Sequence, residues 1–312
     1  MENISKKEST INGKKLQTFL LKNSRETVVK ITNYGAIIMS IKLKTDGGTY
    51  NDIVLGFDEP EQYLSSEYLS NYPYYGAAIG RYANRIKKSI IHIDGQTYHL
   101  NGQNEDFILH GGHEGFDKKF WDVVSSENDR LVLQYISLDG EEGFPGALAV
   151  MITFELTDDD ELSYEYIATV NKATAINLTH HSYFNLNNGI GMIDENHHLR
   201  IHASRYLEQD ETSCSTGVIK DVEGTRYDFR EYQQTGKIAQ PEKGIDISYL
   251  FDNPGIDNIA AEAWCDGRKI KLEVRTTLPV LHLYNAYASP TLIGKGGTQY
   301  TPTSQDRHLV QW

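Results

Sequence analysis

Two adjacent histidines, His180 and His181, lie in Thr179-His180-His181-Ser182-Tyr183-Phe184-Asn185-Leu186, and His110 lies in Leu109-His110-Gly111-Gly112. An imidazole with an unperturbed pKa of about 6.5 can give or take a proton near neutral pH, which suits acid–base catalysis. Asn84 and Arg85, in Gly80-Arg81-Tyr82-Ala83-Asn84-Arg85-Ile86, bring forked donors suited to hydroxyls and to charge developing on an oxygen. Asp246, in Gly244-Ile245-Asp246, brings an acceptor. These residues are far apart in sequence and can meet only through folding. Taken singly, His181 reads as a hydrogen-bonded core histidine, His110 as part of a turn, Asn84 as a turn cap and Arg85 as a surface ion pair.

The elements that must position them are short apolar runs bounded by Gly, Asn and Asp. Leu131 to Leu138 and Ala149 to Leu156 read as strands. From Leu162 to Val170 the pattern alternates, with Leu162, Tyr164, Tyr166, Ala168 and Val170 on one face. Ile270 to Thr276 and Val280 to Tyr284 repeat the theme. Asp94-Gly95 and Asp266-Gly267 are hairpin signals. Sustained helical periodicity is absent, and 20 tyrosines with 26 glycines fit many strands joined by tight turns. The expected fold is all-β, a large antiparallel β-sandwich, with residues 1–312 as a single domain. In a strand adjacent side chains face opposite ways, so His180 and His181 are expected to divide into one functional and one structural residue.

Composition narrows the function classes. A formal charge of −13 and a pI near 5.3 argue against nucleic acid or an anionic membrane surface as partner. Cys214 and Cys265 are the two cysteines, far apart, which excludes a disulfide framework and a cysteine-rich zinc site. The N-terminal residues are polar, and no run of about 18 apolar residues occurs, so a cytoplasmic protein is expected.

In their order along the chain these motifs resemble those of the aldose 1-epimerase (galactose mutarotase) family. Thr32-Asn33-Tyr34-Gly35-Ala36, Val54-Leu55-Gly56-Phe57-Asp58, Gly115-Phe116-Asp117 and Glu142-Gly143-Phe144-Pro145-Gly146 are similar to further landmarks of that family. The resemblance implies a galactose mutarotase-like supersandwich that interconverts the α and β anomers of an aldohexose such as galactose or glucose. No metal and no organic cofactor is implied. Ring opening needs a base on the anomeric hydroxyl and an acid on the ring oxygen. The resemblance makes His181 the acid and His110 a second catalytic histidine that hydrogen-bonds the substrate beside the reacting centre. Asn84, Arg85, Asp246 and Tyr183 become sugar contacts, and Arg81 becomes structural. Family members commonly carry asparagine at the position of His180 and histidine at that of Ile247. Leu278 stands where relatives often have glutamine.

The family's base is a glutamate near the C-terminus, but no glutamate follows Glu273 here. Two placements of the motif put Gly297 or Leu309 at that position, and Asp306 and His308 are the nearby groups able to substitute. The expectation is a chain lacking the family's usual closing strands, with its base unassigned. The alternative function is therefore a non-catalytic sugar-binding relative. A metal-dependent enzyme built on His110, His113 and His181, or on His197-His198, is a further rival. It lacks a compact histidine set with a matching carboxylate, and a solvated turn is the plainer reading of His197-His198. Arg85 alone is no phosphate clamp and no glycine-rich phosphate cradle is present, so a neutral sugar is expected.

Overall fold

The computed structural model describes residues 7–189, 197–235 and 244–300. Strand accounts for 46% of the described residues and helix for 8%, which makes the protein mostly β, as the turn-rich composition leads one to expect. The one α-helix among the described residues, Ser66–Asn71, is short and N-capped by Ser65, whose hydroxyl accepts from the Tyr68 N–H at 3.2 Å. The chain divides into two compact units, and the described residues of the first are 7–50, 56–64 and 74–181.

In the first unit, Lys7–Ile11, Lys14–Lys22, Val28–Thr32 and Ile37–Lys44 pair successively in antiparallel fashion. A second sheet runs Asp122–Ser126, Arg130–Ser137, Leu148–Leu156, Leu162–Val170. Its apolar face carries Leu131, Leu133, Val150, Ile152 and Phe154, all buried, and Lys14–Lys22 packs against its two central strands. Full burial of each such side chain stabilises by about 1.5–3 kcal/mol. The hairpin expected at Asp94-Gly95 joins Ile90–Ile93 to Gln96–His99, and both turn residues have positive φ, 51° and 76°. That is the type I′ geometry which Asp-Gly favours.

The described residues of the second unit are 51–55, 65–73, 182–189, 197–235 and 244–300. One sheet orders Gln233–Gln234, His197–Ile201, Ala261–Cys265 and Ile270–Val274; the other orders Ser215–Asp221, Arg205–Gln209, Asp246–Leu250 and Val280–Tyr284. Leu199, Ile201 and Ala261 from the first sheet share a core with Ile247, Tyr249, Leu281 and Leu283 from the second. The solvated turn expected at His197-His198 is corrected here. Both residues begin a strand; His197 is 0% exposed opposite Cys265, and His198 Nε2 is 3.0 Å from Asp266 Oδ2. A polar pair can open a strand when one member points inward and the other outward.

Each unit contains a buried charge that binds its own segments. In the first unit Arg81, 2% exposed, donates from Nε to Ser137 Oγ (2.8 Å) and from Nη1 to the carbonyls of Pro145 (3.1 Å) and Gly146 (2.7 Å). Its Nη2 donates to the carbonyls of Ser137 (3.1 Å) and Leu138 (2.7 Å). The five N–H donors of a guanidinium are thus all used, and Arg81 is structural, as expected. In the second unit Glu262, 5% exposed, accepts from Lys271 Nζ (2.7 Å), Tyr232 Oη (3.0 Å) and His202 Nε2 (3.1 Å). Burial alone would push its carboxyl up, but these donors outweigh burial and hold it down at about 2.

Two outcomes follow for stability. Arg81→Lys, which offers three donors from a point charge in place of the planar fork, is expected to cost about 2–4 kcal/mol in denaturant unfolding. Glu262 has a folded pKa below its ordinary value of 4.5, so its contribution is complete above pH 4.5 and disappears as pH falls through about 2. Glu262→Gln is expected to cost roughly 1–3 kcal/mol at neutral pH, and the difference from the parent should shrink on acidification in that window. A difference that stays constant with pH would contradict this assignment.

Candidate active site

Backbone geometry assembles the site residues of the first unit. The segment after Arg81 turns at Asn84, whose φ is +67°, and pairs through Arg85–Lys87 with Phe107–Leu109. His110 follows directly, with φ +54°, and its N–H donates to the Asn84 carbonyl at 3.1 Å. Gly111 is required next: a Cβ there would lie 2.0 Å from the Gly80 carbonyl oxygen. Glycine at 111 thus lets the Gly80 backbone approach closely. Non-glycine residues with positive φ are uncommon, and both of these carry site side chains.

One hydrogen bond fixes the state of His110. The Asn84 backbone N–H donates to His110 Nδ1 at 3.0 Å, so Nδ1 is an acceptor and the neutral ring carries its proton on Nε2. His110 is thereby set as a donor. Asn84 Oδ1 accepts from the Arg85 N–H at 2.8 Å and lies 3.4 Å from Arg85 Nη1, so Asn84 does cap its turn while also holding the guanidinium. Arg85 Cζ sits 5.3 Å from the centroid of Phe107, a cation–π distance.

His181 joins this group. Its N–H donates to the Ala77 carbonyl (2.8 Å) and its carbonyl accepts from the Gly76 N–H (2.9 Å), which clamps it beside the Tyr74–Gly76 segment. The His181 and His110 rings are perpendicular with centroids 5.2 Å apart, and Tyr74 completes a three-ring cluster at 4.8 Å from His110 and 5.3 Å from His181. Burial, then the nearby Asp117, pushes the Tyr74 phenol up, so it stays neutral. Two imidazoles this close can divide the work, one as a proton donor and the other as a hydrogen-bond donor.

His180 faces the other way, as strand parity requires. Its Nε2 donates to the Ala36 carbonyl at 3.1 Å, and its ring packs against Phe154 and Tyr164 at 5.8 and 5.3 Å. Burial pulls its pKa down to about 4, and the bond to Ala36 only partly opposes this, so it is a neutral structural residue.

The second unit holds the remaining candidates. Asp246 opens the strand Asp246–Leu250 and accepts from His282 Nε2 at 2.7 Å, while His282 Nδ1 is 2.9 Å from Ser248 Oγ. A carboxylate can only accept, so His282 Nε2 carries a proton. Ile247 lies on the opposite, buried face. Tyr183 is buried with its ring 6.2 Å from that of Tyr284. Gly244 is required because a Cβ there would meet the Tyr287 ring at 1.9 Å. Leu278 is exposed in the turn before Val280–Tyr284. Gly297 lies in a short 3-10 turn, whereas Asp306, His308 and Leu309 lie outside the described residues.

Sequence reasoning missed Tyr74 and His282. The alternation Val280-Leu281-His282-Leu283-Tyr284 did contain a signal, since it sets His282 opposite the buried leucines and level with Ser248. Nothing in the local pattern around Tyr74 marks it; its φ of +60° arises from the surrounding fold. Among the described residues no group of three His, Cys, Asp or Glu side chains is placed to hold a metal ion.

Comparison with known proteins places this arrangement in a family. The family model described as aldose 1-epimerase matches residues 17–306. The chain is 37% identical to the aldose 1-epimerase of Escherichia coli K12, over 88% of this chain and 80% of that protein. It is 38% identical to human galactose mutarotase, over 93% of this chain and 82% of that one. Among solved structures, a GalM/aldose epimerase homologue from C. elegans aligns with a TM-score of 0.84 at 27% identity, covering 94% of this chain and 88% of that one. Galactose 1-epimerase from Lactobacillus acidophilus aligns with a TM-score of 0.81 at 25% identity, covering 99% and 90%. The fold is thus the galactose mutarotase-like β architecture that the motifs implied. By the extent of these matches, the chain belongs to the aldose 1-epimerase family.

Proposed function

We propose that this protein is an epimerase that interconverts the α and β anomers of a neutral aldohexose, galactose or glucose, by acid–base ring opening. The observation that carries the reading is the His110–His181–Tyr74 ring cluster with the His110 tautomer fixed by Asn84. His181 protonates the ring oxygen. His110 donates from Nε2 to the substrate and polarises the reacting centre, and Arg85 with Asn84 hydrogen-bonds the sugar and steadies developing negative charge. Asp246 and Tyr183 take the sugar contacts that family resemblance assigns them, with His282 holding the Asp246 carboxylate in orientation. The substrate is a small sugar; neither nucleic acid nor membrane is a partner, and the protein acts in the cytoplasm as a single functional domain.

One observation favours a second reading. No glutamate follows Glu273 in the sequence, and the base that the resemblance implies is unassigned. Loss of a positioned base typically removes a factor of ~10²–10⁴ in rate. The second reading is a sugar-binding relative that keeps the pocket residues and turns over slowly or not at all.

Polarimetry on freshly dissolved α-D-galactose distinguishes the two. The enzyme reading expects the approach to anomeric equilibrium to be accelerated, and His181→Ala to abolish the acceleration while calorimetric galactose binding persists. Absence of acceleration in a folded protein that binds galactose would leave the sugar-binding reading; absence of both would overturn the sugar assignment. His110→Gln, which keeps an N–H donor, is expected to retain more activity than His110→Ala, for which a loss of ~10²–10³ in kcat is expected. Equal activity in the two variants would remove His110 as the donor.

A further inference from the structure

His110 and Gly111 are the central residues of a turn, Leu109–Gly112, closed by the Gly112 N–H donating to the Leu109 carbonyl at 3.1 Å. Both have positive φ, 54° and 88°, the pattern of a type I′ turn. Glycine adopts that conformation freely. A histidine does so at a cost, and holds it only where its surroundings over-determine it. Those surroundings include the Asn84 backbone, which accepts from the His110 N–H and donates to its Nδ1, and the side chain of Gln103.

Gln103, partly buried, directs its whole amide at this turn. Its Oε1 accepts from the Leu109 N–H at 2.7 Å, while Nε2 donates to the carbonyls of Leu109 (2.8 Å) and Gly112 (2.9 Å). A backbone N–H can only donate and a carbonyl can only accept, so these partners fix which way the amide faces. The side chain thus grips the first and last residues of the turn, with His110 and Gly111 between them. The backbone around Gln103 is itself held. Asn104 Oδ1 accepts from the N–H groups of Asp106 (2.8 Å) and Phe107 (3.1 Å), and His113 Nε2 lies 3.1 Å from the Gly102 carbonyl. Glu142 accepts from the N–H groups of His113 (3.2 Å) and Glu114 (3.1 Å), and so fixes the chain beyond the turn and not the turn itself.

We propose that Gln103 is a positioning residue for His110: by clasping both ends of the turn it keeps the imidazole on the Asn84 N–H, and with it the proton on Nε2. The inference rests on the reading of His110 as a neutral hydrogen-bond donor to the substrate. Without the clasp, the internal bond of the turn is left to oppose the cost of the left-handed histidine. The backbone at 110 then relaxes towards negative φ and carries the ring off Asn84. An imidazole released from that bond exchanges between its two neutral tautomers, of which the Nε2–H form alone presents the donor.

Gln103→Met keeps the length of the side chain and removes its hydrogen bonds. Gln103→Glu is isosteric, loses both donated bonds and turns a carboxylate towards two carbonyls, and serves as the second variant. Thr27→Val, which removes the hydroxyl that donates to Asp160 Oδ1 at 2.7 Å in the same unit, controls for general loss of stability. The first readout is imidazole ¹⁵N NMR of the sugar-free protein, with His110 assigned by its absence in His110→Gln. The parent and Thr27→Val are expected to show separate acceptor-type Nδ1 and protonated Nε2 signals. Both Gln103 variants, folded by circular dichroism, are expected to show the two drawn towards an average. In mutarotation they are expected to lose about ten- to a hundredfold in kcat with KM within about twofold of the parent, since a displaced donor disturbs the reacting geometry more than the sugar contacts. His110 signals that stay fixed in a folded Gln103 variant, or the same averaging in Thr27→Val, would overturn the positioning role. Averaged signals with undiminished kcat would instead overturn the reading of His110 as the donor. Where the parent itself fails to accelerate mutarotation, the catalytic reading alone falls, and the ring signals still decide the role of Gln103.

Discussion

A guanidinium taken out of water must find an acceptor for every N–H it carries, and this requirement organises the first unit. Arg81 finds five acceptors, all within residues 137–146. Each unmade bond to a charged donor would cost more than the bond itself contributes, because the donor stays buried. The polypeptide on either side of Arg81 is therefore fixed to the turn after Arg130–Ser137. Asn84 and Arg85 inherit that placement three and four residues on. His110 inherits it from Asn84 through two hydrogen bonds, one to its backbone and one to its ring. The order of dependence runs from a buried charge, to a loop, to an imidazole tautomer.

A second organising rule is the two-residue period of the strand. His180 and His181 differ by one position and hold opposite roles, one in the core with its proton committed to Ala36, the other in the ring cluster. In the second unit the same rule sends Ile247 into the core and Asp246 and Ser248 to the face that meets His282. Side chains on alternate positions can thus serve stability and chemistry in one short segment. Neither function has to compromise the other, because they do not share a face.

How much could be read from the sequence follows from the range of each interaction. The strands Leu148–Leu156, Leu162–Val170 and Val280–Tyr284 were legible because alternation is local, and the hairpin at Asp94-Gly95 because its turn chemistry is local. His197-His198 was misread because its inward position depends on pairing with Cys265, 68 residues away. Tyr74 was invisible for a similar reason: its place beside two histidines depends on the clamp between Gly76 and His181. The histidines, Asn84, Arg85 and Asp246 were nameable in advance, yet their relations were not. The tautomer of His110 and the partnership of Asp246 with His282 are properties of geometry alone.

His180 carries a consequence for how the protein meets acid. Its ring is neutral when folded, with a pKa of about 4 against an ordinary 6.5, so the unfolded chain takes up a proton that the folded chain refuses. Its stabilisation is complete above pH 6.5 and declines as pH falls towards 4, by up to ~3 kcal/mol. Glu262, in the second unit, begins to weaken only below pH 4.5. Acidification therefore reaches these two groups in sequence, His180 in the mildly acidic range while Glu262 still holds its donors. His180 thus sets an acid limit on the unit that also contains the His110–His181 ring pair.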